Sequence, residues 1–193
     1  MAGRAGQGRK FDTTKALEAA TLVFWEYGYE GASLAALTQA MGINPPSLYK
    51  AFGSKEELFF TVIDHYNATH GAFLATALAE ETDGIVLLSR ILREAANHYP
   101  AQDIPGGCLV ISAAVTVSSA HKHVGDRLAA MRNDNIHHMA TKPGVTHTMA
   151  QFTAATLQGM SQQARDGATA EELHAIAELA ITALAGNMGR RKA

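Results

Sequence analysis

The chain has 193 residues, 47% of them hydrophobic and 18% charged, with 16 Lys and Arg against 18 Asp and Glu for a net charge of −2. That length carries one large or two small domains with a real core, and the composition excludes a disordered or fibrous chain. Cys108 is the single cysteine, which excludes an intrachain disulfide framework; with no membrane-length apolar run and no apolar leader, a soluble cytoplasmic protein is expected.

The negative net charge counts against non-specific nucleic-acid affinity, which comes from neutralised phosphates, but leaves room for a dimer that gathers a few cations on one surface. Residues 1–11 are rich in Gly and Arg. Arg9 and Lys10 sit in this arm, which is either a solvated tail or a segment lying along phosphates or in a minor groove. Asp12 is placed to cap a helix reaching Tyr27, with Ala16, Leu17, Ala20, Val23, Phe24 and Tyr27 on an inward stripe and Gly28 at its end. Trp25, beside the stripe, is expected to pack on the long helix that follows rather than to serve a cofactor.

The run SLAALTQAMGINPPSLYKAFGSK, residues 33–55, places two short helices around a glycine corner. Ser33 caps the first, which carries Leu34, Leu37 and Met41, and Gly42 supplies the positive φ that ends it. Asn44 is the next cap, Pro45 and Pro46 occupy first-turn positions where a missing N–H costs nothing, and Gly53 stops the second helix after two turns. This is helix-turn-helix spacing, in which the second helix lies in a major groove and the first crosses behind it. The same spacing occurs in helical domains without a nucleic-acid partner. Here Leu48 and Phe52 suffice as anchors, so Ser47, Tyr49 and Lys50 leave a polar face open to phosphates and base edges.

Two strings, F-W-x-x-G-Y-x-x-A-S-L over 24–34 and G-I-N-x-x-S-L-Y-x-x-F-x-S-K-E-E-L-F over 42–59, resemble the DNA-binding domain of the TetR/AcrR family of transcriptional repressors. The resemblance implies an all-α protein of about nine helices. It divides the chain into a flexible basic arm over 1–11, a helix-turn-helix domain over 12–66 and a helical effector-binding and dimerisation domain over 67–193. It also implies that Asn44, Pro45, Pro46, Ser47 and Lys50 face bases, while Ser33, Tyr49 and Lys55, joined by Arg9 and Lys10, face phosphates. The function implied is that of a homodimeric repressor that binds a palindromic double-stranded operator and releases it on binding a small organic effector, with no cofactor and no membrane partner.

Further along, Ser54 and Glu57 have capping-box spacing, and Lys55 stands in the first turn, where a cation opposes the helix dipole unless a phosphate is near. Phe59, Val62, Ile63 and Tyr66 continue an inward face, and the helix is expected to run on through Phe73 and Leu78. Asp83 to Asn97 reads as a helix with Val86, Leu87, Ile91 and Ala95 on its apolar side, followed by a Pro- and Gly-broken loop to Gly107. CLVISAAVTVSSA has the β-branched content of a strand, but nothing else in the chain would pair with one, so an apolar helix under a pocket is expected. Its GxCLVxxAA pattern also resembles a subset of the same family.

Residues 123–140 form a helix with Val124, Leu128, Met131, Asn135 and Met139 on a stripe, and 151–164 and 171–188 give the last two. TKPGVTH departs from the family pattern and leaves the start of the penultimate helix open. The last two helices are rich in small residues, and doubled by a two-fold axis they make a four-helix interface, with Leu157, Met160, Ile176, Ala180 and Leu184 as the candidates.

The effector wall is drawn from Phe73, Ile91, Tyr99, Cys108, Ile111, Val115, Met131 and Met139, with Asn135 and His137 as polar contacts, although core packing is the commoner role for each. Cys108 follows Gly106-Gly107 at a helix start, where first-turn N–H groups would lower its pKa, so a thiol sensor of oxidants or electrophiles is the alternative; no second cysteine is present to resolve a sulfenate. The nine histidines lack metal-site spacing: His121 and His123 are two apart, His137 and His138 adjacent, and His147 beyond a Pro-Gly break. No phosphate-cradling loop, nucleophile elbow or paired-acid motif suggests an enzyme. The remaining alternative is a helical interaction or ligand-carrier protein that does not bind DNA.

Overall fold

The computed structural model describes residues 12–100, 103–115 and 117–189, so the arm with Arg9 and Lys10 lies outside the described residues. Among these residues the fold is all-helical, with ten α-helices and no strand. They are α1 (Thr13–Gly31), α2 (Leu34–Met41), α3 (Pro45–Phe52), α4 (Lys55–Ala68), α5 (Ala72–Glu80), α6 (Gly84–His98), α7 (Leu109–Val115), α8 (Lys122–Ala140), α9 (His147–Arg165) and α10 (Ala170–Gly189), with one 3₁₀ turn at Ser119–His121.

The caps written into the sequence set most of these boundaries. Asp12 Oδ1 accepts the Lys15 N–H at 3.2 Å, Asp83 Oδ1 accepts those of Ile85 and Val86 at 2.9 and 3.0 Å, and Ser54 and Glu57 close a reciprocal capping box. Gly28, at φ +69, breaks α1 where a stop was expected, but the chain then adds another turn to Gly31. Tyr27, expected on the inward stripe, is exposed, as is Val86 on α6. The helix expected to run from Ser54 through Leu78 is two helices. Thr69 is non-helical, its hydroxyl donates back to the His65 carbonyl at 2.7 Å, and Gly71 N–H returns to the Tyr66 carbonyl at 2.8 Å. A Cβ at Gly71 would come within 2.7 Å of the Tyr66 ring, so glycine permits this corner, and the split accounts for the tenth helix. α9 starts at His147, earlier than expected, because Thr146 Oγ1 caps the Met149 N–H at 3.1 Å.

Two apolar clusters fill the interior. The first joins α1 to α4 through Phe24, Leu37, Leu48, Phe59 and Ile63, and it also takes in Leu109, Val110 and Ala113 of α7 and Val124 and Leu128 of α8. The second packs α5, α6, α9 and α10 around Leu88, Ile91, Tyr99 and Met160. Cys108 packs against both. Trp25 is buried and meets the Tyr66 ring edge to face at 4.9 Å, which seats α1 on α4. The helix of small residues, α10, packs chiefly on α6 of its own chain.

Polar contacts fasten the first helices to the rest. Arg165, the last residue of α9, donates to the carbonyls of Trp25 and Glu26 at 3.1 and 3.2 Å, just before the Gly28 break in α1. His65 and His70 share the Glu18 carboxylate at 2.9 and 2.8 Å, and His123 meets Glu56 at 2.8 Å. Glu30 Oε1 accepts the backbone N–H and hydroxyl of Ser118 at 3.0 and 2.6 Å, with His121 Nδ1 at 2.8 Å. The Ser118 hydroxyl, His121 and the Ser118 N–H together hold the Glu30 carboxyl down from its ordinary 4.5 to about 2. A carboxyl depressed by folding stabilises fully above its unfolded pKa and loses that contribution as pH falls through its folded one. Glu30→Gln is therefore expected to lower the melting temperature at pH 7, with the gap from the parent constant down to pH 4.5 and closing between pH 4.5 and about 2, as thermal melts over that range would record.

Candidate nucleic-acid interface and ligand cavity

The corner between α2 and α3 is short because both of its ends are fixed by local chemistry. Gly42, at φ +66, ends α2 with its N–H returned to the Thr38 and Gln39 carbonyls, and the Asn44 side chain accepts the Ser47 N–H at 2.9 Å to start α3. Only Leu48 of α3 is fully buried, with Phe52 partly so, which leaves Asn44, Pro45, Pro46, Ser47, Tyr49 and Lys50 exposed on one short helix. A shallow concavity running past Ser47 and Lys50 is bounded by Asp12, Lys15 and the end of α2.

Ser33 is exposed but its hydroxyl is engaged as the α2 cap, accepting the Ala36 N–H at 3.1 Å. Lys55 is half-buried, its Nζ 4.9 Å from the centre of the Tyr29 ring, and burial pulls its pKa down while Glu30 pulls it up. Two N–H groups at the start of α4 are already used: Ser54 donates to Glu57 at 2.7 Å and Glu57 to the Ser54 hydroxyl at 3.1 Å.

A cavity of about 370 Å³ lies between α4, α5, α7, α8 and α9. Phe73, Tyr99, Cys108, Ile111, Met131, Asn135 and Met139 are on its wall, as seven of the expected residues. Ile91 is instead fully buried within the second cluster, His137 is exposed off the wall while His138 lines it, and the Val115 side chain lies outside the described residues. Tyr66, Leu74, Leu78, Arg132 and Leu157 also line it and were not anticipated. The signal for Arg132 was present, since it follows Met131 and stands three before Asn135 on the same helical stripe. Burial pushes the Cys108 thiol up, and the Tyr66 hydroxyl, the first-turn N–H groups and Arg132 pull it back only in part, so the expected lowering is not what its surroundings produce. Among the described residues no three His, Cys, Asp or Glu side chains are grouped so as to hold a metal, and no helix is long and apolar enough to cross a membrane.

The expected interface residues of the last two helices face mostly inward: Met160, Ala180 and Leu184 are buried within the protomer, Leu157 nearly so, and Ile176 is partly exposed. Among the described residues, Phe152 of α9 and Leu179 of α10, at 44% and 74% exposure, are left open on these helices together with Ile176.

Comparison with known proteins decides the family. A profile described as bacterial regulatory proteins, tetR family, matches residues 16–62. The repressor BdcR of Escherichia coli strain K12 is 30% identical over 181 residues, spanning 93% of this chain and 92% of its own. This chain belongs to the TetR family. The repressor ComR of the same strain is 34% identical over 189 residues, spanning 89% of this chain and 88% of its own. In structure, a cysteine-substituted form of the TetR family regulator CifR, solved with 26-bp double-strand operator DNA, superposes with a TM-score of 0.83 at 39% identity over 91% of this chain and 98% of that one. The protein is thus a helix-turn-helix regulator of the TetR type, with α2 and α3 as the motif. Asn44→Ala removes the α3 cap and is expected to cost about 1 kcal/mol in urea unfolding, whereas Asn44→Asp, a cap of equal quality, leaves stability near the parent's.

Proposed function

We propose that this protein is a homodimeric, ligand-responsive repressor that holds a palindromic operator with α3 and lets go when a small organic molecule occupies the cavity. The observation that carries the reading is the exposed face of α3, where six residues from Asn44 to Lys50 stand open around the single buried anchor Leu48. Asn44, Pro45, Pro46, Ser47 and Lys50 then read base edges. Tyr49, Ser33 and Lys55, with Arg9 and Lys10 of the arm, meet phosphates; Lys55 does so by leaving its perch on Tyr29. The operator complex of CifR supports the DNA partner. Residues 12–66 are the reading domain and 67–193 the effector and dimer domain, in a cytoplasmic protein without catalytic activity.

One short helix contacts too few base pairs for useful specificity, so two copies are needed. Phe152, Ile176 and Leu179 form the apolar face through which α9 and α10 would pair across a two-fold axis, because the other candidates on those helices are already covered. The thiol-sensor alternative draws support from Cys108 lying on the cavity wall, but burial raises the thiol and so reduces the reactive thiolate.

Duplexes selected from a random pool, titrated at fixed salt by fluorescence anisotropy, provide the measurement. Ser47→Ala and Lys50→Ala are expected to relax discrimination, each losing about 1–3 kcal/mol of preference for the selected site, while Tyr49→Ala weakens selected and random duplexes alike. Leu179→Asp is expected to sediment as a monomer at micromolar concentration and to lose at least tenfold in affinity, on the order of 1.4 kcal/mol. Equal affinity of the parent for both pools would refute the repressor reading.

A further inference from the structure

The cavity wall carries a half-buried guanidinium that forms no ion pair among the described residues. Arg132 stands half-buried on the wall, on the same stripe of α8 as Met131, Asn135 and Met139. Its Nη1 donates to the Val110 carbonyl at 3.1 Å, and among the described residues it forms no ion pair with an Asp or Glu. The arginines of α6 differ: Arg90 holds Glu80, Glu81 and Glu94, and Arg93 holds Glu178. Asp134 also borders the cavity but is exposed to solvent and unpaired with Arg132.

Taking a guanidinium partly out of water without a counter-charge is unfavourable, and the cost is recovered when an anion joins it. Burial accordingly draws the Arg132 pKa down, with only the neighbouring Cys108 thiol acting in the other direction. Guanidinium presents a planar fork of donors that matches a carboxylate. Much of the wall is apolar, with Phe73, Leu74, Leu78 and Leu157 lining it beside the uncharged polar side chains of Asn67, Asn135 and Gln158. A volume of about 370 Å³ suits a small molecule with a compact hydrocarbon body.

We propose that the cavity takes an amphiphilic organic monocarboxylate, its carboxylate on Arg132 and its apolar body against Phe73 and Leu157. The inference rests on the reading of this cavity as the effector site. It also supplies a route to the DNA, because the Arg132 guanidinium is bonded to Val110 of α7, and Val110 and Leu109 pack in the same cluster as Leu37 and Leu48 of the motif helices. A carboxylate that re-aims the guanidinium acts on α7, and through α4, which packs on both, on the seat of α3.

The test is calorimetric titration of the full chain with octanoate, octanol and octylamine, which share a body and differ in head group. Octanoate is expected to bind the parent at least about tenfold more tightly than octanol, with octylamine weakest. Arg132→Gln is expected to bring octanoate and octanol to equal affinity, while Arg132→Lys, which keeps the charge but not the fork, retains part of the preference. Equal binding of octanoate and octanol by the parent, or a preference unchanged in Arg132→Gln, overturns the proposal; the Lys variant keeps it open to refutation should the Gln variant not fold. Operator affinity is read in parallel. A parent that holds its operator but shows no preference for octanoate refutes the acid alone, and a parent that binds no operator refutes the repressor reading while the head-group comparison still decides the acid.

Discussion

The N-terminal helices do not keep their core to themselves. Leu109, Val110 and Ala113 of α7 and Val124 and Leu128 of α8 are buried in the same cluster as Phe24, Leu37, Leu48 and Phe59. Burying a Leu or Val contributes about 1.5–3 kcal/mol, so α7 is fixed to α1 and α4 more firmly than by any of the polar contacts around it. The chain enters α7 through Cys108, which touches both clusters and the cavity. Close-packed cores move between discrete arrangements rather than deforming smoothly. α7 thus joins the cavity wall to α1 and α4, and α4 in turn carries α3.

The polar contacts have a different part. Pairs such as His123 with Glu56 and His121 with Glu30 lie near the surface, where an ion pair contributes only about 0–1 kcal/mol. They add little to stability beside the apolar cluster, but they are directional. Glu30 fixes the end of α1 to the turn before α8, and Glu56 fixes the start of α4 to α8 itself. These bonds select one orientation of the N-terminal helices on the others, which hydrophobic burial alone does not specify.

Boundaries that rest on local chemistry could be read from the sequence. Asp12, Ser33, Asn44, Ser54 and Asp83 all cap helices where their side chains reach N–H groups two or three residues on, and Gly42 and Gly53 end helices at positive φ. The break after Ala68 was hidden because it depends on the Tyr66 ring lying against Gly71, and ring placement is not encoded in spacing. Periodicity found the cavity stripe on α8 but not its boundaries, since Val124 and Leu128 on that stripe go to the first cluster and only the later turns reach the cavity. Ala180 and Leu184 marked a close helix contact, and a helix rich in small residues does not say whose helix it meets; α10 packs chiefly on α6.

Arg165 places a further condition on how the DNA-reading end can move. Its guanidinium bonds two successive carbonyls of α1, from the far end of a helix that belongs to the other cluster. Hydrogen bonds keep donor and acceptor within about 2.7–3.2 Å while admitting donor angles from linear down to roughly 120°. A bond pair at one point on α1 thus behaves as a pivot, permitting rotation and resisting sliding. Around such a pivot a tilt of α9 turns α1 rather than dragging it along its axis, and α2 and α4, which pack on α1, turn with it.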